Sequence, residues 1–455
     1  MGSSYTSTGR QPARESLRTL LLQRYSILVV ATLAAVIVAV GPIGGDGSNA
    51  GSQSALAWRE PAITVSSPDP RVVPASEFGA DIVNFDDTQW GPSSDASWPP
   101  VSLGMVRIWD DGSTWADLEP APGEWNFSAL DRQVTEAHSK GARVLYVLGQ
   151  TPRWASSLPD SHDIYGAGAP APPADLQLWR NYVSTVVSRY KGEISAYEIW
   201  DEADASTFDG SPQEMVELAT IAYRTIKEIQ PSATVLTPSF TQNALTDGWL
   251  AAYLKDGGGK VADALAGHAY PDYPEQGAGY VLQYRSALAH AGLHLPIWIT
   301  EVGYSGYTAS GQALFPALGA QAYVAKTLMD QAEVGAAEII WYGANTNGMW
   351  LSLGEQGYPS DAQAYSTMVR WLVGAIPRGC GEIASGPYSG LTACYLDRPG
   401  APTEVVFYDS IRSLTMSAPS SGTFEARTLS GRVTALTSRS TLTVGNSPIL
   451  VTSSR

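Results

Sequence analysis

The chain has little positive charge and very few cysteines or histidines. Its 455 residues carry 28 lysines and arginines against 44 aspartates and glutamates, a formal net charge of -16 at pH 7. A nucleic-acid partner requires a basic surface and is therefore not expected. The two cysteines and five histidines form no cluster at metal-ligand spacing, so the sequence predicts neither a metal site nor an organic cofactor.

A basic segment followed by an uncharged stretch opens the chain. Four arginines lie between residues 10 and 24, the run 27–43 contains no charge, and the next basic residue is Arg59. This order is typical of an export signal whose basic end stays in the cytoplasm. Cleavage of the signal and retention as a membrane anchor both stay open. We predict a cytoplasmic basic segment at 1–25, a signal or anchor helix at 26–43 and a flexible linker at 44–57.

Export would place the folded part outside the cell, either anchored to the membrane by the N-terminal helix or secreted after cleavage. The outside of the cell is an oxidising environment, in which disulfide bonds persist. Cys380 and Cys394 are close in sequence. We therefore predict a local disulfide bond between them.

Eight short runs rich in Val and Ile follow, each apolar on both faces as buried parallel strands are. Helical patterns lie between most of them, and the clearest begins at Ser211-Pro212 with a capping-box Glu214. Strands that alternate with helices in this way predict an α/β fold, a (β/α)8 TIM barrel at 58–376. The segment 86–103 leaves little room for a helix. The runs are 79–85, 104–110, 142–149, 194–200, 234–240, 264–270, 296–303 and 337–344.

After the barrel the pattern changes to short alternating segments separated by Gly, Pro, Ser and Asn. Residues 377–455 therefore predict a small antiparallel β-sandwich as an accessory domain. The strand-like stretch 62–67 is a candidate to pair with it.

Two glutamates occupy the strand ends at which a barrel of this kind carries its reacting groups. Glu202 follows the fourth strand and Glu301 lies at the end of the seventh, roughly across the barrel mouth. Paired carboxylates in that position suit cleavage of a glycosidic bond, because one protonates the leaving oxygen while the other attacks or activates water. Either glutamate alone is equally compatible with a helix cap or a salt bridge.

Four segments of the chain resemble the retaining glycoside hydrolases of clan A, and most closely glycoside hydrolase family 39 and its relatives. That group includes β-xylosidases, α-L-iduronidase and bacterial exopolysaccharide hydrolases. The segments are 104–156, 182–204, 265–274 and 297–305. The resemblance implies a double displacement with Glu202 as general acid/base and Glu301 as nucleophile, with the two carboxyl groups about 5 to 5.5 Å apart.

The same resemblance assigns further substrate-binding residues. It implies that Tyr270 hydrogen-bonds the nucleophile, that Arg107 supports the nucleophile electrostatically, and that Trp341 forms a platform under the sugar. His268 would line the same pocket. A buried ion pair for Arg107 and a core position for His268 stay open as alternatives. Trp109, Trp154 and Trp350 are subsite candidates for which core packing is equally open.

One residue departs from the family pattern. Most clan A enzymes have Asn before the acid/base, and its amide donates a hydrogen bond to the sugar 2-hydroxyl, whereas this chain has Asp201. An ionised aspartate accepts hydrogen bonds but cannot donate them. Its charge would also raise the pKa of Glu202. We expect Asp201 to alter sugar preference.

The sequence therefore predicts a retaining glycosidase that cleaves a cell-wall or extracellular polysaccharide. The alternative is a catalytically weakened barrel that acts as a cell-surface carbohydrate-binding protein. A purely structural wall protein fits the aromatic-rich strand ends poorly. The long loops 152–173 and 345–359 are expected to wall the cleft.

Overall fold

The computed structural model describes residues 67, 70–82, 98–303, 317–343, 359–386, 388–418 and 422–453. The predicted signal or anchor helix at 26–43, the segment 86–97 and Trp350 lie outside the described residues. None of the described helices is long and apolar enough to cross a membrane. The predicted domain boundaries stay predictions.

Ten strands lie in the first part of the described chain, and eight of them form one parallel sheet. The other two, β4 and β5, form a small antiparallel hairpin in the loop after β3. The strands are β1 (Phe78–Asp81), β2 (Met105–Ile108), β3 (Arg143–Leu148), β4 (His162–Asp163), β5 (Gly166–Ala167), β6 (Ala196–Ile199), β7 (Thr234–Leu236), β8 (Leu265–Ala269), β9 (Ile297–Val302) and β10 (Glu338–Trp341).

The sheet curls into a nearly closed barrel. Its strand order is β7-β6-β3-β2-β1-β10-β9-β8, and single parallel bridges join Leu236 to Ala264 and Phe240 to Gly267 between the two end strands. All neighbouring strands in the order are parallel, as sequential strand–helix units require. The predicted eight-stranded α/β barrel is confirmed, and each of its strands falls within one of the eight runs or begins one residue before it.

Helices pack around this sheet. The helix predicted from Ser211 begins at Pro212, and the Ser211 hydroxyl and the Glu214 carboxylate cap each other's backbone N–H as expected of a capping box. The helices are α1 (Trp115–Leu118), α2 (Ser128–Ser139), α3 (Leu176–Arg189), α4 (Pro212–Ile229), α5 (Ala244–Asp247), α6 (Trp249–Lys255), α7 (Glu275–His290), α8 (Ala317–Glu333) and α9 (Pro359–Leu372), with 3-10 turns at Ala75–Glu77 and Gly258–Lys260.

Alternation along the strands divides the barrel interior into an apolar layer and a charged layer. On β2, Met105 belongs to a small apolar cluster inside the barrel, Val106 packs outward against the helices, and Arg107 faces inward again. The charged layer therefore lies two residues closer to the C-terminal ends of the strands than the apolar layer. The apolar cluster comprises Met105, Leu145, Ala196, Leu236, Ala264, Ala266, Trp298 and Ile340.

The C-terminal part consists of antiparallel sheets with a core of their own, as the alternating pattern predicts. One sheet has six strands in the order β11-β12-β13-β18-β15-β16, and β14 pairs with β17. The strands are β11 (Ile376–Glu382), β12 (Thr392–Asp397), β13 (Glu404–Tyr408), β14 (Leu414–Ser417), β15 (Phe424–Thr428), β16 (Val433–Leu436), β17 (Thr441–Val444) and β18 (Ile449–Ser453).

Two predictions about this region can be compared with the structure. Cys380 on β11 and Cys394 on β12 are paired across the two strands and form the predicted disulfide bond. Ser67, the last residue of the candidate stretch 62–67, donates a backbone hydrogen bond to Arg378 of β11 (2.8 Å). The rest of that stretch lies outside the described residues.

A lysine joins the barrel to the C-terminal sheets. Lys326 of α8 is almost fully buried, and its Nζ donates hydrogen bonds to Glu275 Oε1 (2.9 Å), Ser410 Oγ (2.9 Å) and Asn446 Oδ1 (3.0 Å). The ammonium also lies 5.2 Å from the ring centroid of Tyr408. These contacts link helices α7 and α8 of the barrel to loops of the C-terminal sheets.

Candidate active site

Glu202 sits on a sharp turn directly after β6. Trp200 and Glu202 both have left-handed backbone conformations, with φ of 73° and 43°. Residues other than glycine rarely adopt such conformations. Ser239, which follows β7, holds this turn: its N–H donates to the Trp200 carbonyl (3.1 Å) and its hydroxyl accepts from the Glu202 N–H (2.9 Å). The Thr207 hydroxyl donates to the Glu202 carbonyl (2.8 Å). The turn therefore fixes the direction in which Glu202 leaves the strand end.

Glu301 lies near the end of β9, and both of its carboxylate oxygens accept a hydrogen bond. Arg107 Nη1 donates to Oε1 (2.6 Å) and the Tyr270 hydroxyl donates to Oε2 (2.5 Å). Donors on both oxygens favour the ionised carboxylate and fix its plane. The structure thus shows Tyr270 and Arg107 hydrogen-bonded to Glu301, and their roles in a reaction stay predictions.

His268 on β8 brings the two glutamates together. Its Nδ1 lies 3.0 Å from Glu202 Oε1 and 3.4 Å from Glu301 Oε2. One carboxylate oxygen of Glu202 and one of Glu301 are within 4.8 Å of each other. The Glu202 side chain is 16% exposed and that of Glu301 only 7%, so Glu202 has the better access to solvent.

Arg107 is the centre of the charged layer and is completely buried. Besides Glu301 it contacts three other carboxylates. They belong to Glu198 on β6 (2.7 Å), Asp81 on β1 (3.2 Å) and Asp201, which follows β6 (2.6 Å). Its guanidinium thus ties the ends of β1, β2, β6 and β9 to one another. The alternative that Arg107 forms buried ion pairs is therefore correct, and its support of a nucleophile stays a prediction.

Burial dominates the electrostatics of this layer, because one arginine cannot neutralise all the carboxylates around it. Removal from water raises the pKa of Glu301 to about 7, although His268 and Arg107 both act to lower it. Removal from water also raises the pKa of Asp201 to about 6 against the opposing charge of Arg107. The pKa of Asp81 is raised well above its usual value for the same reason. The charged layer therefore binds protons near neutral pH.

Sequence reasoning missed several members of the site. Asp110 follows β2, is buried, and accepts a hydrogen bond from the Tyr165 hydroxyl (3.4 Å) of the loop after β3. Burial and the nearby charge of Glu301 raise the pKa of Asp110 to about 7. Asp81 and Glu198 were also missed. Each is a single carboxylate within an otherwise apolar strand, Asp81 in β1 and Glu198 in β6. A charged residue in a buried strand needs a partner, and this pattern could have identified both of them.

The predicted tryptophans occupy different environments. Trp109 is nearly buried and packs edge-on against Tyr165, with ring centroids 5.2 Å apart. Trp154 is partly exposed, and its Nε1 donates to the Glu119 carbonyl (2.8 Å). Trp341 at the end of β10 is fully buried in the described structure. Their roles in substrate binding stay predictions.

Three groups of described side chains have the composition of a metal site. They are Glu202 with His268 and Glu301, Glu198 with Asp201 and His268, and Asp330 with the two cysteines. The cysteines are oxidised in a disulfide bond and are not thiolate ligands. The other two groups share His268, and Arg107 binds three of their carboxylates. The prediction that the chain uses no metal or cofactor stays a prediction.

Known proteins resemble this chain in sequence. Residues 197–351, which include both glutamates, His268 and Tyr270, match the family model described as "Glycosyl hydrolase catalytic core". Endo-1,4-beta-xylanase 3 of Hypocrea jecorina is 31% identical over 144 residues, which are 29% of this chain and 38% of that protein. The Beta-xylosidase of Geobacillus stearothermophilus is 26% identical over 164 residues, 33% of this chain and 32% of that protein. The chain therefore spans only about a third of the length of these relatives.

Solved structures share the fold. A family 39 glycoside hydrolase from Bacteroides cellulosilyticus WH2 superposes with a TM-score of 0.62 at 15% sequence identity, and the match covers 85% of this chain and 83% of that one. Identity at this level establishes the fold alone. Together with the sequence matches, it confirms the predicted resemblance to clan A glycosidases, including family 39.

Proposed function

We propose that this protein is a retaining glycoside hydrolase that cleaves O-glycosidic bonds in a cell-wall or extracellular polysaccharide. In this proposal Glu202 is the general acid/base and Glu301 is the nucleophile. The observation that carries it is the pair of carboxylates at the ends of β6 and β9, with oxygens within 4.8 Å of each other.

The separation of the two glutamates supports retention rather than inversion. Inverting enzymes need their carboxyl groups about 6.5 to 9.5 Å apart because a water molecule must fit between one of them and the sugar. His268 Nδ1 lies within 3.4 Å of an oxygen from each glutamate. One oxygen of each glutamate lies within 4.8 Å of the other, which favours the shorter separation of a retaining pair and direct attack by Glu301 on the sugar.

The reaction would proceed in two steps. In the first, a carboxylate oxygen of Glu301 forms a bond to the anomeric carbon while the bond to the leaving oxygen breaks, and Glu202 gives its proton to that oxygen. In the second, water attacks the anomeric carbon and loses a proton to Glu202, and the bond to Glu301 breaks. Arg107 and Tyr270 would hold the departing and returning carboxylate in place.

The two glutamates have environments suited to different roles. Glu301 receives hydrogen bonds on both oxygens, which favours the anion that a nucleophile must be. Glu202 contacts His268 Nδ1 through Oε1 (3.0 Å), and it is the more exposed of the two side chains. An acid/base needs that access because it protonates a leaving group and then activates water.

The test measures hydrolysis of polysaccharides by the full chain. Xylan is included because two relatives are a xylanase and a xylosidase by name. The configuration of the first sugar released, followed by proton NMR, distinguishes retention from inversion. Glu202→Gln and Glu301→Gln should each lose nearly all activity. Glu217→Gln, an exposed glutamate on α4, is the matched control and should keep the parent rate.

Two results would count against the proposal. Release of the inverted anomer would exclude the double displacement. If the two glutamine variants bind a glycan as the parent does and no glycan is hydrolysed, the protein is a carbohydrate-binding barrel instead.

We also propose that the protein acts outside the cell, anchored by its N-terminal segment or secreted. The uncharged run 27–43 after the basic segment and the Cys380–Cys394 disulfide support this. Fractionation of cells that express the full chain, with N-terminal sequencing of the mature protein, tests both the location and the cleavage.

A further inference from the structure

The candidate active site carries an excess of negative charge. Arg107 is in contact with four carboxylates, and Glu202 and Asp110 lie beside the same layer. Among the described residues of this layer, His268 is the sole other basic side chain. A neutral sugar would leave the excess uncompensated, and an anionic sugar would add to it.

One carboxylate oxygen of Asp201 has no hydrogen-bond partner among the residues that the structure describes. Its Oδ1 accepts from Arg107 Nη2 (2.6 Å) and from the Ser239 hydroxyl (3.3 Å), and it lies 3.8 Å from His268 Nε2. Oδ2 receives no hydrogen bond from any described residue, although the side chain is only 6% exposed. An oxygen in this position can accept a hydrogen bond from a ligand that carries a donor.

The position of Asp201 relative to the nucleophile indicates which part of the sugar it faces. The two terminal nitrogens of one guanidinium bind Glu301 and Asp201, so the two carboxylates lie side by side. If Glu301 attacks the anomeric carbon, Asp201 lies beside that carbon. The ring neighbours of the anomeric carbon are the ring oxygen and C2, and of these only C2 carries a substituent.

We infer that the sugar at the cleavage position carries a protonated amine on C2, which makes the substrate class 2-amino-2-deoxy-hexosides such as those of a deacetylated hexosamine polymer. This inference rests on the proposed function. An ammonium donates hydrogen bonds to Oδ2 of Asp201 and brings the positive charge that the layer lacks.

Other substituents at C2 fit less well. A hydroxyl can donate one hydrogen bond to Asp201 but brings no charge. An N-acetyl group also donates one hydrogen bond, yet it is neutral and far larger. The raised pKa values of Asp201 and Glu301 are consistent with a layer that takes up protons when no cation is bound.

Asp201 would also assist the chemistry on an amino sugar. Positive charge develops on the anomeric carbon in the transition state, and an ammonium on the next carbon opposes it. A carboxylate beside the ammonium offsets that repulsion, whereas the amide of an asparagine cannot. An aspartate at position 201 is therefore better suited than an asparagine to a 2-amino sugar.

The experiment compares kcat/KM at neutral pH for aryl β-glycosides that differ only at C2: the 2-amino, the 2-hydroxy and the 2-acetamido compounds, in the gluco and galacto series. An aryl β-glucuronide and β-xyloside complete the panel. The parent should cleave the 2-amino glycoside at least about tenfold faster than the 2-hydroxy one, since hydrogen bonds between charged groups discriminate by that order. Asp201→Asn should reverse this preference, and Glu217→Gln should not change it.

Each result has a distinct meaning. A parent that cleaves the 2-hydroxy glycoside as fast as the 2-amino one overturns the amino-sugar inference and leaves the proposed function intact. If the parent cleaves no monosaccharide glycoside, the Glu202→Gln variant is titrated with chitosan tetraose and cellotetraose by calorimetry, and equal affinity for the two overturns the inference. No hydrolysis of any glycan, with or without an amine, overturns the proposed function as well.

Discussion

Two buried cations of this protein have opposite effects on the carboxylates beside them. Around Arg107 burial prevails, and the pKa values of Glu301 and Asp201 are raised despite direct contact with the guanidinium. Beside Lys326 the partners prevail: burial alone would raise the pKa of Glu275, but the hydrogen bond from Ser410 and the charge of Lys326 lower it.

The number of carboxylates per cation explains the difference. Lys326 contacts one partly exposed carboxylate and otherwise neutral oxygens, so its surroundings are balanced. Asp330, one turn further along α8, receives no hydrogen bond from that lysine, and burial raises its pKa well above the usual value. The charge of a buried cation therefore offsets the effect of burial on the pKa only for a carboxylate that it binds directly and does not have to share. The balanced site at Lys326 suits a structural joint, and the unbalanced one at Arg107 suits a reaction that moves protons.

The largest expected effect comes from replacing the cation of the unbalanced site. Arg107→Lys keeps the charge but loses the fork that binds Glu301 and Asp201 together, and we expect kcat/KM to fall by about 10²-fold or more. Arg107→Met should also lower the free energy of unfolding at neutral pH by about 3–5 kcal/mol, because it leaves buried carboxylates without a partner. Urea denaturation and kinetics on one preparation measure both. An Arg107→Lys variant with the parent kcat/KM would contradict this account.

The next effect is on the pH dependence of activity. In the proposed reaction Glu301 attacks as the anion, and its pKa is about 7, so kcat/KM should fall as the pH drops below 7, approaching about tenfold per unit. Asp201 raises this pKa, and Asp201→Asn should therefore shift the acidic limb to lower pH. A pH profile of parent and variant checks this, and an activity that stays constant down to about pH 5 would be incompatible with it.

A smaller effect is expected on stability. Glu301, Asp201 and Asp110 have pKa values raised above those of the unfolded chain, so the folded protein binds protons that the unfolded chain has released. Their contribution is present below the unfolded pKa values and is lost as the pH rises through about 6 to 7. The melting temperature should therefore be higher near pH 5 than near pH 8. A melting temperature that rises from pH 5 to pH 8 would refute the raised pKa values of these carboxyl groups.

The smallest effect on activity should come from the balanced site. Lys326→Met removes three hydrogen bonds at the joint and should lower the free energy of unfolding by about 1–3 kcal/mol. Its kcat/KM should stay within about twofold of the parent, since the site does not contact the strand ends. A large loss of activity in a folded Lys326→Met variant would show that the two cations are coupled.

The sequence predicted the barrel well because each strand is a short apolar run with a clear boundary. The two glutamates could be predicted to lie near each other because the fold dictates where the strand ends meet. Asp81, Asp110 and Glu198 were missed, since nothing local shows which charges meet inside a closed sheet. Asp81 and Glu198 contact Arg107, and those contacts exist only because β2 lies between β1 and β3, with β6 beyond. Asp110 instead meets Tyr165, which comes from the loop after β3.

The left-handed backbone at Trp200 and Glu202 has a consequence for attempts to engineer this protein. Each such residue costs on the order of 1–3 kcal/mol that the rest of the fold must supply. Glycine at position 202 would relieve part of that strain while removing the carboxyl group that we propose as the acid/base. A thermostability screen applied without an activity assay would therefore enrich inactive variants at this turn.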